Sequence, residues 1–506
     1  MSQGAPNPLL ILAPMGIEAE AARRGAPWAQ VKRFGVGPKR ARLAAALAHE
    51  ANDGPVVIAG VCGALDPRLR AGDVILASEL RGPTGTVPCT DPAILAGVLR
   101  RAGLTVHVGP IASSQRLVMR DRRRALHRSG ALAVDMESSW LAAEAAGTAL
   151  VTMRVVLDTP DRELHRPWYV ARDAILALRT LRRACRLLWQ WSEAQLEREL
   201  VLAAPRASCA GVSRAIDTVE RLLREHGAPI YVRRQIVHNA HVVADLEARG
   251  AIFVEELDEV PDGATVVFSA HGVSPAVREE ARARGLDAID ATCPLVAKVH
   301  SEARRYAQAG LDIVLVGHEE HEEVEGTLGE APEHIQVIAS IDEVDALQVA
   351  DPSRIAYLTQ TTLAVDETAD VVDALRDRFP ELVGPRTDDI CYATQNRQDG
   401  VRALAETCDR ILVVGSSNSS NSRRLVEVAQ RAGCPAMLID HAADLPPEFL
   451  AGARRIGITA GASAPERLVQ DLVSALEGLG RVTVSEHEVT VEDVRFKPPR
   501  RRPREH

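Results

Sequence analysis

Aromatic residues are scarce in this 506-residue sequence, where Phe, Trp and Tyr together make up 3% of the chain. Hydrophobic cores must therefore be built mainly from Ala, Val, Leu and Ile. The 46% hydrophobic and 25% charged residues are typical of soluble globular proteins. A chain of this length is usually too long for a single hydrophobic core, so about two to four domains are expected.

Long apolar runs are also missing. No segment reaches the roughly 18–20 continuous apolar residues that a membrane span needs. The short apolar run Leu9 to Ala13 has no basic residue before it, unlike a signal peptide. The sequence therefore predicts a cytoplasmic protein, in which the eight cysteines are packing residues, metal ligands or catalytic thiols rather than disulfides.

The chain has no excess of positive charge. Its formal net charge of −9 argues against nucleic-acid binding. The one strongly basic run, Lys497 to Arg504, is interrupted by proline and predicts a solvated, disordered C-terminal end.

The first part of the chain alternates apolar strand-like runs with helical stretches rich in Ala, Arg and Leu. Strands are predicted at Leu9–Pro14, Pro55–Gly60, Val74–Ala77 and Ala149–Val156, and helices at Ala41–Ala51 and Ser138–Ala146. The stretch Ala171 to Glu199 contains no glycine or proline and predicts a closing helix that continues into a linker. We therefore predict a first domain over 1–185 and a helical linker over 186–198.

From residue 199 onward one unit recurs: a short β-rich run, a polar loop and a helix. The runs are Leu200–Ala204, Ala264–Phe268, Leu286–Asp290, Asp312–Val316, Ile411–Val414 and Arg455–Thr459. Repeated units of this kind predict parallel sheets, whose ligands bind at the carboxyl ends of the strands. The polar loops also precede helix N-termini, which favour anions. We predict a second domain over 199–485 and a tail over 486–506.

Three cysteines share one setting in this second domain, since Cys209, Cys293 and Cys391 each open a predicted helix. A helix N-terminus lowers a thiol pKa, and the thiolate is the form that binds metal. Their separations correspond to about one α/β subdomain each, so three subdomains are expected to supply one thiolate apiece. Three thiolates suit either zinc or an iron–sulfur cluster with one open iron. The alternatives are ordinary buried cysteines and a redox- or metal-sensing site.

Polar loops suited to a diphosphate are interleaved with these cysteines. Glu323 lies two residues after one loop histidine and is a candidate proton donor, and Thr361 and Thr362 add hydroxyls after a strand at Ile355–Leu358. A sensor has no need of anion-binding loops, so an enzyme is favoured. The candidate anion-binding residues are His238, Asn239, His271, His321, Ser419, Ser420, Asn421 and Ser463.

Residues 199–485 resemble the IspH (LytB) family of 4-hydroxy-3-methylbut-2-enyl diphosphate reductases. The resemblance rests on motifs in family order: Cys-Ala-Gly-Val, Ile-Val-His-Asn, Phe-Ser-Ala-His-Gly-Val, Ala-Thr-Cys-Pro-Leu-Val, Val-Glu-Gly-Thr, Thr-Gln-Thr-Thr-Leu, Asp-Asp-Ile-Cys-Tyr-Ala-Thr, Asn-Ser-Ser-Asn-Ser and Thr-Ala-Gly-Ala-Ser-Ala-Pro. The family usually has Gly-Phe before its first cysteine, where this chain has Ala207-Ser208. It usually has Pro where this chain has Glu322.

The resemblance implies a three-lobed α/β fold around a [4Fe–4S] cluster held by Cys209, Cys293 and Cys391. The substrate hydroxyl would bind the unligated iron, and ferredoxin or flavodoxin would donate electrons. Glu323, with Thr361 nearby, would deliver the proton that lets hydroxide leave as water, giving isopentenyl and dimethylallyl diphosphate. The resemblance also implies a set of diphosphate ligands: His238, His271, His321, Ser419, Ser420, Asn421 and Ser463.

Residues 8–180 resemble the nucleoside phosphorylase/nucleosidase superfamily, nearest to hopanoid-associated phosphorylases of the HpnG type. The motifs are Pro-Met-Gly-Ile-Glu ending at Glu18, Gly-Val-Cys-Gly around Cys62, Val-Asp-Met-Glu-Ser around Glu137 and Arg-Val-Val-Leu-Asp ending at Asp158. The resemblance implies an α/β domain with a central mixed sheet that cleaves the ribosyl C–N bond of a nucleoside.

The same resemblance assigns roles within this domain. Met136 and Glu137 would hold the ribose, and Glu18 would orient water or a ribose hydroxyl. Asp158 would protonate the leaving purine, since expelling a base needs a general acid. Cys62 would line the pocket. A bifunctional enzyme, with a link to hopanoid supply by analogy, is the first hypothesis; a non-catalytic dimerisation or regulatory scaffold in the N-terminal half is the alternative.

Overall fold

A computed structural model describes residues 9–49, 54–83, 85–145, 150–164 and 167–499. The chain divides into two compact units. The first comprises Met1–Glu199 together with His441–Arg454 and Gln470–Thr483, and the second comprises Leu200–Asp440, Arg455–Val469 and Val484–His506. Segments of the two units therefore alternate along the sequence, so a division of the chain into consecutive domains does not describe them.

The first unit contains a mixed sheet. Its strands are β1 Leu10–Ala13, β2 Gln30–Arg33, β3 Val56–Ala64, β4 Val74–Gly82, β5 Gly85–Pro88, β6 Val106–Ser113, β7 Ala133–Asp135 and β8 Leu150–Asp158. Its helices are α1 Gly16–Gly25, α2 Pro38–His49, α3 Ala93–Arg101, α4 Asp121–Arg128, α5 Ser138–Glu144 and α6 Pro167–Glu193. The strand order is β2-β1-β3-β7-β6-β4-β5, and β8 pairs with both β3 and β4.

Strand β8 makes this sheet mixed, because it runs parallel to β3 and antiparallel to β4. The predicted central mixed sheet is confirmed. Strand β1 is an apolar run buried along its whole length, as expected of a strand covered on both faces. All four predicted strands are present, although β3 and β4 run several residues further than their apolar cores. Residues 50, 51, 146 and 149 of the predicted elements lie outside the described residues.

Helix α6 continues to Glu193 and therefore occupies most of the predicted linker. The stretch offers no glycine or proline to end the helix earlier. Only the residues between Glu193 and Arg198, where β9 begins, separate the two elements.

The elements of the remaining chain form three further sheets. The strands are β9 Arg198–Ala204, β10 Ile230–Arg233, β11 Ala251–Val254, β12 Thr265–Phe268, β13 Asp287–Asp290, β14 Asp312–Val316, β15 Ile335–Ile338, β16 Ile355–Thr359, β17 Arg410–Val414, β18 Ala436–Ile439, β19 Arg455–Ala460 and β20 Val482–Glu488. The helices are α7 Ala210–His226, α8 Ala240–Ala248, α9 Pro275–Ala283, α10 Pro294–Gln308, α11 Glu322–Leu328, α12 Val365–Arg378, α13 Tyr392–Ala405, α14 Ser420–Arg431 and α15 Glu466–Glu477.

Each of these sheets is the centre of one lobe. Their strand orders are β11-β10-β12-β13, β15-β14-β16 and β18-β17-β19-β9-β20. The pairs of β10, β14 and β17 with their neighbours are parallel. The predicted three-lobed α/β architecture is confirmed, and its strands begin and end within one or two residues of the predicted runs.

The predicted tail is not a free end over the residues that the structure describes. Strand β20 extends to Glu488, three residues into the predicted tail. Glu492 lies 2.9 Å from the guanidinium of Arg397, a side chain with no exposed surface. The sequence could not show this pairing, because the partners are 95 residues apart. Residues 500–504 of the basic run lie outside the described residues.

Across the described ranges, the helices are too short or too polar for any of them to cross a membrane.

Candidate functional site

The structure places the three cysteines at equivalent positions in three lobes. Cys209, Cys293 and Cys391 are the residues immediately before α7, α10 and α13. Cys209 follows β9 of the five-stranded sheet and Cys293 follows β13 of the four-stranded sheet. The amide of Cys391 donates to the carbonyl of Thr361, just after β16 of the three-stranded sheet, at 3.1 Å. Each lobe thus supplies one thiol, as the spacing predicted.

The three thiols line one cavity. Gly211, in the first turn of α7, allows the sulfurs to approach. A Cβ at this position would lie 2.6 Å from Sγ of Cys293 and 3.9 Å from Sγ of Cys209. Glycine is therefore required at 211 if both sulfurs are to face the same space. The amide of Thr394 donates to Sγ of Cys391 at 3.4 Å and orients the third thiol.

The prediction that helix N-termini lower the thiol pKa values is wrong for two of the cysteines. Burial raises the pKa of Cys293 to about 12 and that of Cys391 to about 11. Loss of hydration outweighs the hydrogen bonds that backbone amides donate to these sulfurs. The thiols of Cys293 and Cys391 are therefore neutral in the metal-free protein, so a metal must displace their protons when it binds.

The donor set fits an iron–sulfur cluster better than a structural zinc site. Structural zinc is almost always held by four protein ligands, whereas this cavity presents three sulfurs and then opens onto polar loops. A cluster held by three cysteines keeps one iron for an external ligand.

Three histidines form the polar side of the cavity. The rings of His238 and His271 are stacked with centroids 4.0 Å apart. The ring of His321, the residue before α11, stands edge-on to His238 at 5.5 Å. Nδ1 of His238 is buried without a hydrogen-bond partner among the described residues, as expected of an atom that awaits a ligand.

The side chains of Ser419, Ser420, Asn421 and Ser463 line the same cavity. The candidate Asn239 does not, because its side chain caps α8 by accepting from the amides of His241 and Val242. Ser419 precedes α14, and Ser420 and Asn421 form its first turn. The amide of Ala462 donates to Oδ1 of Asn421 at 2.9 Å. Ser463 donates to the carbonyl of His238 at 3.0 Å. These contacts join the N-terminus of α14 to the histidines.

Two of the three histidines carry no positive charge near pH 7. Burial lowers the pKa of His238 to about 2 and that of His321 to about 3, so both rings are neutral near pH 7. Arg423, in the first turns of α14, lowers both values further. Arg423 is exposed and is not among the residues that line the cavity. An anion in the cavity is therefore favoured by the hydroxyls and the helix N–H groups.

Glu322, the residue that replaces the usual proline, faces the histidines. Its carboxylate lies 3.3 Å from Nδ1 of His271. Burial alone would raise the pKa of Glu322, but the hydrogen bond and charge of His271 hold it at about 2.

Glu322 and the histidines do not make a convincing metal site. His238, His271 and Glu322 have ligand atoms within 4.8 Å of one another, close enough for one ion. Because imidazole lone pairs lie in the ring plane, two stacked rings cannot both aim at that ion. The geometry instead gives a close polar contact between the Glu322 carboxylate and Nδ1 of His271.

Glu323 is the buried acid of the cavity. Its side chain accepts hydrogen bonds from the amide of Thr361 at 2.7 Å and from the Thr361 hydroxyl at 2.9 Å. Burial raises the pKa of Glu323 to about 7, so a large fraction of the acid keeps its proton near neutrality. Thr361 also contacts the Cys391 backbone, which links this acid to one of the thiols.

A second group of predicted residues meets in the first unit. Glu18 accepts from the amides of Met15 at 2.7 Å and Val61 at 2.8 Å. Burial raises the pKa of Glu18 to about 7. Gly60 leaves room for these side chains, since a Cβ there would clash with Glu18 and Arg154.

Glu137 lies beside the same arginine, and the amide of Met136 donates to the Glu137 carboxylate at 3.3 Å. Glu137 accepts from the amide of Gly37 at 3.0 Å and lies 3.6 Å from Arg154. Arg154 is fully buried and forms a 2.8 Å ion pair with Asp135. The sequence reasoning missed both Arg154 and Asp135. A charged residue within an apolar strand is the signal that could have found Arg154.

Asp158 is paired in a way that the sequence did not predict. Arg123, which is itself buried, donates to its carboxylate, and Gly63 leaves room for the pair. Burial raises the pKa of Asp158 and Arg123 opposes that rise. The guanidinium thus stabilises the carboxylate form of Asp158. Cys62 is buried near both Arg123 and Arg154, and burial raises the pKa of its thiol.

These features define the second unit as a three-lobed α/β protein with a three-thiol centre beside an anion pocket. The family model described as LytB protein matches residues 200–477, and the chain belongs to this family. The Phosphorylase superfamily model matches residues 29–190. Both resemblances predicted from the sequence are confirmed at the level of these families.

Named relatives agree with this assignment. The chain is 59% identical over 302 residues to a 4-hydroxy-3-methylbut-2-enyl diphosphate reductase of Bordetella pertussis, a match that covers 60% of this chain and 93% of the relative. It is 59% identical over 290 residues to a protein of the same name from Rhodococcus opacus, covering 57% and 86%. A solved reductase structure from Plasmodium falciparum is 40% identical, covers 60% of this chain and 96% of its own, and gives a TM-score of 0.58.

Proposed function

We propose that the second unit reduces 4-hydroxy-3-methylbut-2-enyl diphosphate to isopentenyl and dimethylallyl diphosphate. The observation that carries the proposal is one cavity lined by three cysteines from three lobes, a buried acid with a raised pKa and an anion pocket. Relatives that bear this activity in their names are 59% identical to the chain. The reaction would run in the cytoplasm, with ferredoxin or flavodoxin as the electron donor.

Cys209, Cys293 and Cys391 would hold a [4Fe–4S] cluster. When bound, the cluster supplies electrons and an iron without a protein ligand, to which the substrate hydroxyl can bind. The overall reaction consumes two electrons and two protons, breaks the C–O bond of the allylic alcohol, forms a C–H bond and releases water.

The residues of this chain bind the substrate and move the first proton. The α14 N-terminus, Ser463 and the histidines hold the diphosphate, which fixes the hydroxyl end of the substrate toward the thiols. Glu323 holds a proton at its carboxyl group and gives it to the departing hydroxyl. Thr361 keeps the acid in place through its two hydrogen bonds. Anaerobic incubation of the purified chain with substrate and a reduced donor should yield both products; no product from cluster-loaded protein would contradict the proposal.

We further propose that the first unit cleaves a nucleoside-type C–N bond in hopanoid metabolism. The match to the Phosphorylase superfamily supports the reaction class. The buried acids Glu18 and Glu137 beside Arg154 support a polar site that can bind a ribose. A non-catalytic scaffold would have no need of a buried acid whose pKa lies near 7.

Glu18→Gln should reduce nucleoside cleavage by about 10²–10⁴-fold and leave reduction of the diphosphate unchanged. If Glu18 acts as a base, it must be ionised, so wild-type cleavage should rise as the pH increases through about 7, the raised pKa of Glu18. Release of free base from adenosyl nucleosides measures the effect. Glu20→Gln, an exposed acid on the same helix, is the matched control. Full activity of Glu18→Gln, or no cleavage by the wild type, would favour the scaffold alternative.

We propose that the domain boundary lies within the predicted linker, at the residues between α6 and β9. A chain that begins at Glu197 keeps β9 whole and should bind iron and reduce the diphosphate at a rate close to that of the full chain. Iron content and product formation test this expectation. An insoluble or iron-free product would show that the two later segments grouped with the first unit make the halves interdependent.

A further inference from the structure

The segment after β20, residues Val489 to Lys497, makes three sets of contacts with the rest of the second unit. It lies beyond residues 200–477, the range that the LytB family model matches. Its first contact is a 2.9 Å hydrogen bond from the amide of Val489 to the carbonyl of Ala204. Ala204 ends β9, the strand that leads to Cys209. We call residues 489–497 the C-terminal strap.

The second contact is made by Glu492. Its carboxylate accepts from Arg397 at 2.9 Å and from Asn396 at 3.0 Å, both in α13. Arg397 has no exposed surface and also donates to the carbonyls of Ala207 at 2.6 Å and Ala393 at 2.9 Å. A buried guanidinium is costly unless an acid compensates its charge, and Glu492 supplies that charge.

Arg397 therefore joins two cysteine-bearing segments. Ala207 lies two residues before Cys209, and Ala393 lies two residues after Cys391. The φ of Ala207 is +59°, a left-handed conformation that costs energy for a residue with a side chain. The two hydrogen bonds from Arg397 hold the carbonyl of this strained residue in place.

The third contact reaches the remaining cysteine. The carbonyl of Lys497 accepts from Nε of Arg214 at 2.8 Å. The same guanidinium donates to the carbonyls of Ala291 at 3.0 Å and Thr292 at 2.9 Å, the two residues before Cys293. Through two arginines, the strap thus contacts the segments that carry all three thiols.

We propose that the C-terminal strap is a positioning element of the metal centre, an inference that rests on the proposed function. Glu492 fixes Arg397, Lys497 fixes Arg214, and the two arginines hold the loops of Cys209, Cys293 and Cys391 at a common spacing. The strap lies on the surface, with Val491 72% exposed, and these contacts connect it to the three cysteine-bearing segments. Loss of an anchor loosens the loops and speeds loss of the metal.

The test uses the full chain carrying Glu492→Ala, loaded with iron and sulfide without oxygen. We expect its visible absorption to bleach in air about 10- to 100-fold faster than that of the wild type, at a temperature at which the metal-free variant, destabilised by the uncompensated Arg397, is still folded. Glu488→Ala removes an exposed acid of β20 outside the strap and should bleach like the wild type. Arg214→Gln breaks the third contact and should also bleach faster than the wild type. This variant takes the place of Glu492→Ala in the test if Glu492→Ala does not fold.

Equal bleaching rates for Glu492→Ala, Arg214→Gln and the wild type would overturn the role of the strap. Bleaching of Glu488→Ala as fast as Glu492→Ala would overturn it as well. A wild-type chain that binds no iron would instead overturn the proposed function on which the strap rests, so the two failures are distinguishable.

Discussion

Replacing Glu323 with Gln should lower kcat for reduction of the diphosphate by about 10²–10⁴-fold while KM stays close to the wild-type value. Gln keeps the size of the side chain but cannot donate an acidic proton. The wild-type acid is buried and its pKa is raised to about 7. Since the protonated form is the donor, wild-type kcat should be highest below about pH 7 and fall as the pH rises through that value. Steady-state kinetics without oxygen measure both effects.

Two variants separate proton donation from binding. Glu320→Gln changes an exposed acid before the same helix and should leave kcat and KM unchanged. His321→Ala should chiefly raise KM, because its ring lines the anion pocket. If Glu323→Gln kept its kcat and instead showed a large rise in KM, the acid would be a binding group. The proton would then have to come from water or from the substrate diphosphate through Thr361.

Cys293→Ser should remove most of the visible absorption of the iron-loaded protein and abolish reduction of the diphosphate. A serine hydroxyl is a much poorer ligand for iron than a thiolate, and the cavity offers only two other thiols. Absorbance, iron content and product formation report the loss. The metal-free variant should unfold at the same temperature as the metal-free wild type, because the change removes no core residue.

Cys434→Ser is the matched control for this cysteine. Cys434 is buried in the core of the five-stranded lobe, where its sulfur lies 3.4 Å from the carbonyl of Cys408. We expect this variant to keep its colour and its activity. A bleached Cys434→Ser variant beside a coloured Cys293→Ser variant would show that the ligands have been wrongly assigned.

Local sequence patterns predicted the part of this fold that depends on neighbours in the chain. An apolar run, a polar loop and a helix follow one another within about 20 residues, so the position of each cysteine before its helix could be read directly. The ends of β3 and β4 could not, because Gly60, Gly63 and Gly82 carry no strand signal. At these glycines β3 and β4 continue because their backbones form hydrogen bonds with the neighbouring strands β8 and β6.

Properties set by distant parts of the chain escaped the sequence. The pKa of Cys293 depends on burial by other lobes, which outweighs the local helix terminus. The pairing of Asp158 with Arg123 and that of Glu492 with Arg397 join segments 35 and 95 residues apart. No local pattern marks such partners, so the sequence could not show that a buried arginine pairs with Asp158 or that α13 holds Glu492.

The three-thiol centre and the anion pocket line one cavity and should act as one site. Titrating the anaerobic, iron-loaded full chain with 4-hydroxy-3-methylbut-2-enyl diphosphate, while recording the magnetic-resonance spectrum of the iron centre, tests it most directly. We expect a new spectrum that saturates at one substrate per chain in the wild type and requires far more substrate in His321→Ala. A protein that holds zinc instead of iron, or an iron spectrum that substrate leaves unchanged, would contradict it.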